Sequence, residues 1–207
     1  ARLDRIIETP DKANAVYRAG MNLTLDDDDP NFPALILGNY ILGGSANSRL
    51  MQRVRERDGL SYSIGSWLNA RWRDRAGEFG ISAIYAPQNR QRVETAIAEE
   101  IERVLRDGFS KEEVEVARDG LLRARHVARS QDGALAGRLA NYAFQGRTFE
   151  WDVGFEKRIA TLSADDVNAA MRRFLQSNRL SIVRAGDFAK GATTGAASSP
   201  PSAAVQK

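Results

Sequence analysis

Two residues of this 207-residue chain, Arg55 and Tyr62, have the types and spacing that suit chemistry. They stand seven positions apart, on either side of a turn at Gly59 and Leu60, within the stretch GGSANSRLMQRVRERDGLSYSIGS at 43–66. An arginine near the end of a helix and a tyrosine opening the next strand can turn their tips to a common point. A guanidinium offers a fork of donors and a phenol one more, a set suited to a carbonyl oxygen that acquires charge. The same residues also fit a structural role, with Arg55 complementing the helix dipole and Tyr62 packing at the rim of the core.

Other chemistry is thinly represented. The chain has no cysteine, so disulfides, thiolate metal sites and cysteine nucleophiles are excluded. His126 is the single histidine, so a site with two histidine ligands cannot be built, and its Arg-rich helical setting reads as solvated or partly packed. The four aspartates at 26–29 point in different directions in a turn and lack calcium-loop spacing; they read as acidic residues before a helix rather than as a cation site. No nucleophile elbow, phosphate loop or dinucleotide fingerprint occurs. Glu56, Asp58 and Glu78 lie beside arginines and read as paired surface charges.

Apolar periodicity indicates the elements that must position Arg55 and Tyr62. Alternation predicts strands at about 13–25, 61–70, 78–85 and 180–185, with the second and third forming a hairpin over a basic connection. On the second strand, Tyr62 alternates with Ile64, Ser66 and Leu68 on one side, with Trp67 on the other. A buried helix at 33–42 should end at Gly43 and Gly44 in a left-handed cap, and a second should begin near Asn47 or Ser48 and finish with Arg53, Arg55 and Arg57. Further helices follow, with cores at Val93, Ile97, Ile101 and Val104; Val114, Ala117 and Leu121; Leu135, Leu139 and Tyr142; Trp151, Phe155 and Ile159; and Val167, Ala170 and Met171. Ser110 with Glu113 and Ser163 with Asp166 read as capping boxes. The fold expected is α+β, an antiparallel sheet of four or more strands with helices mainly on one face.

Composition allows an ordinary core, with 43% hydrophobic and 28% charged residues and a formal charge of +3. No apolar run is long enough for a membrane span. The start at Ala1, without a methionine or signal pattern, predicts a piece of a longer protein. One domain over 1–188 is expected, followed by a small-residue, disordered tail at 189–207.

The succession Gly-Gly, Ser-Arg-Leu, Arg and Gly-Leu-Ser-Tyr in LGGSANSRLMQRVRERDGLSYSIGS resembles the C-terminal homology domain of the insulinase/pitrilysin zinc metallopeptidases, which include mitochondrial processing peptidase. The likeness spans about 10–188. It implies one half of a clamshell that closes around a peptide substrate, the other half being an N-terminal zinc-binding portion of the same protein or a separate subunit. That partner half would carry the inverted zinc motif, so zinc is expected there and no metal in this chain. Arg55 and Tyr62 match the arginine and tyrosine with which this half approaches the substrate carbonyl and its oxyanion. The chain alone would be inactive and would complete a zinc-dependent endopeptidase. Family habit implies a bacterial periplasmic or envelope location, which no targeting segment here supports.

Two rivals remain. One is a catalytically inert binding or assembly module of the same fold. The other is nucleic-acid binding through Arg71, Arg73 and Arg75 with Trp67 and Trp72, against which the modest charge and short basic runs argue.

Overall fold

Alternation along the chain builds one sheet in the computed structural model, which describes residues 2–190. The strands are β1 (Asp4–Glu8), β2 (Ala15–Leu23), β3 (Ser61–Ala70), β4 (Gly77–Tyr85) and β5 (Ser181–Gly186), in spatial order β1-β5-β2-β4-β3. Ala15, Tyr17, Ala19, Met21 and Leu23 of β2 point into the core, whereas Val16, Arg18 and Asn22 face outward. Nine antiparallel residue pairs, Ala15↔Tyr85 through Leu23↔Gly77, lock β2 to β4. A one-residue slip would turn all five inward residues to solvent, so burial fixes this register.

The expected fold class is present, with one addition. β1 joins the sheet parallel to β5, from Asp4↔Ile182 to Glu8↔Gly186, so the sheet is mixed rather than wholly antiparallel. All five β1 residues are exposed. DRIIE therefore has no inward and outward faces to alternate, and no periodicity marks it as a strand.

Six α-helices occur among the described residues, α1 (Phe32–Asn39), α2 (Arg90–Arg106), α3 (Lys111–Arg129), α4 (Asp132–Gln145), α5 (Phe149–Thr161) and α6 (Ala164–Phe174), and all but α4 contribute residues to the core beside the sheet. The predicted stripe Val93, Ile97, Ile101 and Val104 is buried on α2. Both capping boxes form, at Ser110 with Glu113 and at Ser163 with Asp166. Gly108, at φ 79°, ends the approach to α3 in the left-handed region. α4 departs from expectation: Tyr142 is buried, but Leu139 is exposed and Leu135 only half-buried. The tail expected from 189 onward lies outside the described residues beyond 190.

Buried charge ties the helical layer together. Asp152 on α5 is buried, takes guanidinium contacts from Arg125, Arg129 and Arg138, and accepts from the Tyr142 hydroxyl at 2.8 Å. The aspartate run acts in the same way. Asp27 pairs with Arg147 at 2.7 Å, Asp28 accepts from Trp151 Nε1 at 2.7 Å, and Asp29 pairs with Arg75 at 3.0 Å. These carboxylates hold the β2–α1 connection to other segments.

Burial pushes three phenols up to about 12. Beside Tyr17 and Tyr85 the Glu94 carboxylate adds to the effect, and at Tyr142 the hydrogen bond to Asp152 does. An unfolded tyrosine ionises near about pH 10. The unfolded chain thus loses these protons first, and the stabilisation they provide is whole below about pH 10 and is lost as pH rises towards 12. Urea midpoints should hold steady to about pH 9.5 and then fall steeply. Tyr85→Phe, which removes a buried hydroxyl that has no hydrogen-bond partner, should make the fall shallower.

Candidate functional site

The segment carrying Arg55 begins where α1 stops being α-helical. Tyr40–Gly44 continues α1 with π-helical pitch, and after a short loop Met51–Arg57 is π-helical as well. The Asp58 N–H donates to the Arg53 carbonyl at 3.0 Å, the five-residue step of that pitch. Such turns are rare and recur at functional sites.

Gly43 and Gly44 do not form the expected left-handed cap, since neither has a positive φ. Close approach explains Gly43 instead: a Cβ there would lie 2.5 Å from Ser66 Oγ and 2.7 Å from Ser66 N. The glycine lets the π-helical segment rest directly on β3. Ser66 Oγ in turn donates to Asn39 Oδ1 at 2.7 Å. The expected side-chain cap is absent too. Ser48 gives its backbone carbonyl to the Gln52 N–H at 2.9 Å, and its hydroxyl is buried without a partner.

Four arginines in this segment are sorted by their contacts. Arg49 makes a bidentate pair with Glu113 at 2.7 Å, donates to the Gly108 carbonyl at 3.0 Å, and lies over the Phe109 ring. Arg53 is held by Glu99 and by Glu100, the latter at 3.1 Å. Arg57 folds onto Asp58 at 2.7 Å, and that hydrogen bond holds the Asp58 carboxyl below the usual carboxylate range. Arg55 is half exposed, and its guanidinium meets only soft or distant neighbours, the Met51 sulfur at 4.0 Å and Glu56 at 3.7 Å.

Tyr62 stands on a second irregularity. Ser61 faces Tyr85 and Ser63 faces Ile84, so Tyr62 is the extra residue of a β-bulge. Regular alternation would have placed it with Ile64, which is buried. The bulge breaks that alternation and leaves Tyr62 77% exposed. Packing at the rim of the core, the structural role the sequence left open, does not describe it. The chain reaches Tyr62 through Gly59, at φ 59°, and through Leu60, whose N–H donates to the Val54 carbonyl at 2.8 Å and whose carbonyl accepts from Asn89 Nδ2 at 3.1 Å.

Other candidates are engaged elsewhere. Glu78 accepts from Trp67 Nε1 at 3.1 Å and Asn69 Nδ2 at 3.2 Å on the outer face of the sheet, where Arg18 lies over Trp67. Trp72 meets Phe144 edge-on with Arg73 over its ring, and Arg75 is held by Asp29, so several residues of the nucleic-acid reading already have partners within the protein. His126 is exposed on α3. Among the described residues no group of three or more His, Cys, Asp or Glu is placed to hold a metal ion.

A family model described as the peptidase M16 inactive domain matches residues 4–121, more than half of the chain. The chain belongs to that family. This M16 inactive domain superposes on the peptidase M16 inactive domain of Pseudomonas fluorescens with a TM-score of 0.77 and 26% identity, over 89% of this chain and 43% of that one. It is 32% identical over 149 residues to an uncharacterized zinc protease of Mycobacterium tuberculosis, a match covering 69% of this chain and 32% of the relative. The periplasmic protease PqqL of Escherichia coli shares the fold, with a TM-score of 0.71 at 16% identity over 89% of this chain and 20% of that one. The chain thus spans about a third of the length of the curated relatives it matches.

Two glycine substitutions separate the constraints on the site. Gly43→Ala drives a methyl into β3 and should cost about 1–3 kcal/mol in urea unfolding. Gly59→Ala meets no atom within 4 Å but must hold a positive φ, at about 1–2 kcal/mol. A neutral Gly43→Ala would refute the close approach.

Proposed function

We propose that this M16 inactive domain, taken as residues 1–188, supplies the carbonyl-binding half of a composite zinc-peptidase active site. The observation that carries this reading is the placement of Arg55 and Tyr62. Tyr62 is exposed, Arg55 is half exposed with only a 3.7 Å ion pair to Glu56, and each is presented by a backbone irregularity of the kind that re-aims side chains, a π-helical turn and a β-bulge. One continuous core supports the single-domain reading.

The partner is the zinc-bearing half of an M16 peptidase, fused or separate, and the substrate is a peptide. When bound in that half, zinc would supply Lewis-acid polarisation and an activated water. The residues of this chain do the rest by hydrogen bonding. The Arg55 guanidinium and the Tyr62 hydroxyl donate to the scissile carbonyl oxygen, and the bonds strengthen as charge grows there. Neither group takes up or releases a proton in this role. The likeness to a periplasmic protease supports a location in the bacterial envelope. No helix among the described residues is long and apolar enough to cross a membrane.

In the protein joined to its zinc-bearing half, Tyr62→Phe should lower kcat for an internally quenched peptide by about 10²–10³-fold, the loss seen when one oxyanion donor is removed. Arg55→Ala should do at least as much. Zinc content and melting temperature should stay unchanged in both, since neither side chain packs in the core. Full activity in both variants would leave the inert binding module as the reading of this domain.

A further inference from the structure

Glu100 is a buried carboxylate with no part in the proposed chemistry. It is 2% exposed on α2, and it faces Arg53 at 3.1 Å and Arg103 at 3.1 Å. Two guanidiniums can compensate one buried charge, but such a group is seldom favourable for stability alone. Its geometry matters more. Arg53 lies two residues before Arg55 and marks the irregular turn from both directions: its carbonyl takes the Asp58 N–H at 3.0 Å, and its Nε lies 3.8 Å from the Asp58 carboxylate. Glu100 therefore grips the residue across which the five-residue hydrogen bond closes.

Without such a grip, relaxing Met51–Arg57 to α-helical pitch would remove one residue from the turn. Successive α-helical residues are about 100° apart, so Arg55 would swing away from its present direction. Asn89 holds the other end. It sits in the turn Pro87–Asn89 that joins β4 to α2, and its Nδ2 donates to the Leu60 carbonyl two residues before Tyr62. Tyr85, at the end of the same β4, faces the bulge. Both irregular segments are thus fastened to one continuous unit, β4–turn–α2.

We propose that Glu100 and Asn89 are positioning residues for the pair: Glu100 holds the π-helical turn that aims Arg55, and Asn89 holds the turn that aims Tyr62. This rests on the carbonyl-binding reading above. It assigns a task to two residues outside the donor pair, and it ties the aim of both donors to the β4–turn–α2 unit.

The test is a pair of double-mutant cycles in the protein joined to its zinc-bearing half, with an internally quenched peptide as substrate. Glu100→Gln and Asn89→Ala should each lower kcat at least tenfold while KM changes less than twofold. In an Arg55→Ala background Glu100→Gln should cost nothing further, whereas Asn89→Ala should still lower kcat; in a Tyr62→Phe background the roles reverse. Hydrogen exchange should show the Asp58 amide opening faster in Glu100→Gln and the Leu60 amide in Asn89→Ala, with the rest of the sheet unchanged. Glu100→Asp, with a shorter reach and the charge retained, should recover part of the lost kcat. Losses that are equal in every background, or that only follow a lowered melting temperature, overturn the proposal while the carbonyl-binding reading stands. If Arg55→Ala and Tyr62→Phe themselves leave kcat intact, the carbonyl-binding reading fails and the positioning roles fall with it.

Discussion

A backbone that leaves α-helical pitch at Met51–Arg57 and strand register between Ser61 and Ser63 must be held there by contacts from outside. Regular helices and ladders satisfy their own polar groups, whereas irregular ones expose amides and carbonyls that need partners. Much of this domain supplies them. Gly43 brings the first π-helical segment onto β3, Leu50 and Val54 are fully buried, and the Leu60 turn is hydrogen-bonded on both sides. Arg49 reaches across to Glu113 and Gly108 and fastens the segment to the entry of α3. The outcome is a loop fastened at several points with two exposed polar side chains, Arg55 and Tyr62.

Charge is distributed to the same end. The arginines that serve structure are matched by carboxylates, as in Arg49 with Glu113, Arg53 with Glu100, Arg147 with Asp27, and three arginines around Asp152. At Glu113 burial works against ionisation, but the Arg49 hydrogen bonds and the Ser110 N–H outweigh it and hold the carboxyl below its ordinary value. Within the segment at 49–57, Arg49, Arg53 and Arg57 are each held by a carboxylate at hydrogen-bond distance. Arg55 is the exception, with Glu56 at 3.7 Å and the Met51 sulfur at 4.0 Å, and this is the arginine for which a ligand role is proposed.

Much of the frame is legible in the sequence. Alternation on β2 and β4 marks both strands, because one face is buried and the other is wet. The capping boxes at Ser110 and Ser163 are legible because their signal is local. Features that depend on distant contacts are not. LMQRVRER carries apolar residues that fit α-helical spacing, and over two turns the π pitch shifts them too little to show in the pattern. The bulge leaves no mark in SYSIGS, so alternation placed Tyr62 on the wrong side of the strand. β1 is hidden because its residues are all exposed, and on α4 the apolar spacing misleads because Leu139 points away from the core. Arg55 and Tyr62 are proposed from residue type, separation and the family resemblance, whereas the contacts of Asn89 with Leu60 and of Glu100 with Arg53 join positions far apart in the chain and carry no motif.

In the role proposed for them, Arg55 and Tyr62 bind a carbonyl oxygen more strongly as it becomes an oxyanion than in the resting peptide. A phosphonamidate peptide mimics the tetrahedral oxyanion, and a product peptide of the same sequence does not. Their affinities for the zinc-joined protein and its Tyr62→Phe variant test the claim directly. Differential binding predicts that the substitution weakens the phosphonamidate at least tenfold, in proportion to the loss in kcat/KM, with less than a twofold change for the product peptide. Equal weakening of both ligands, or of neither, would contradict it.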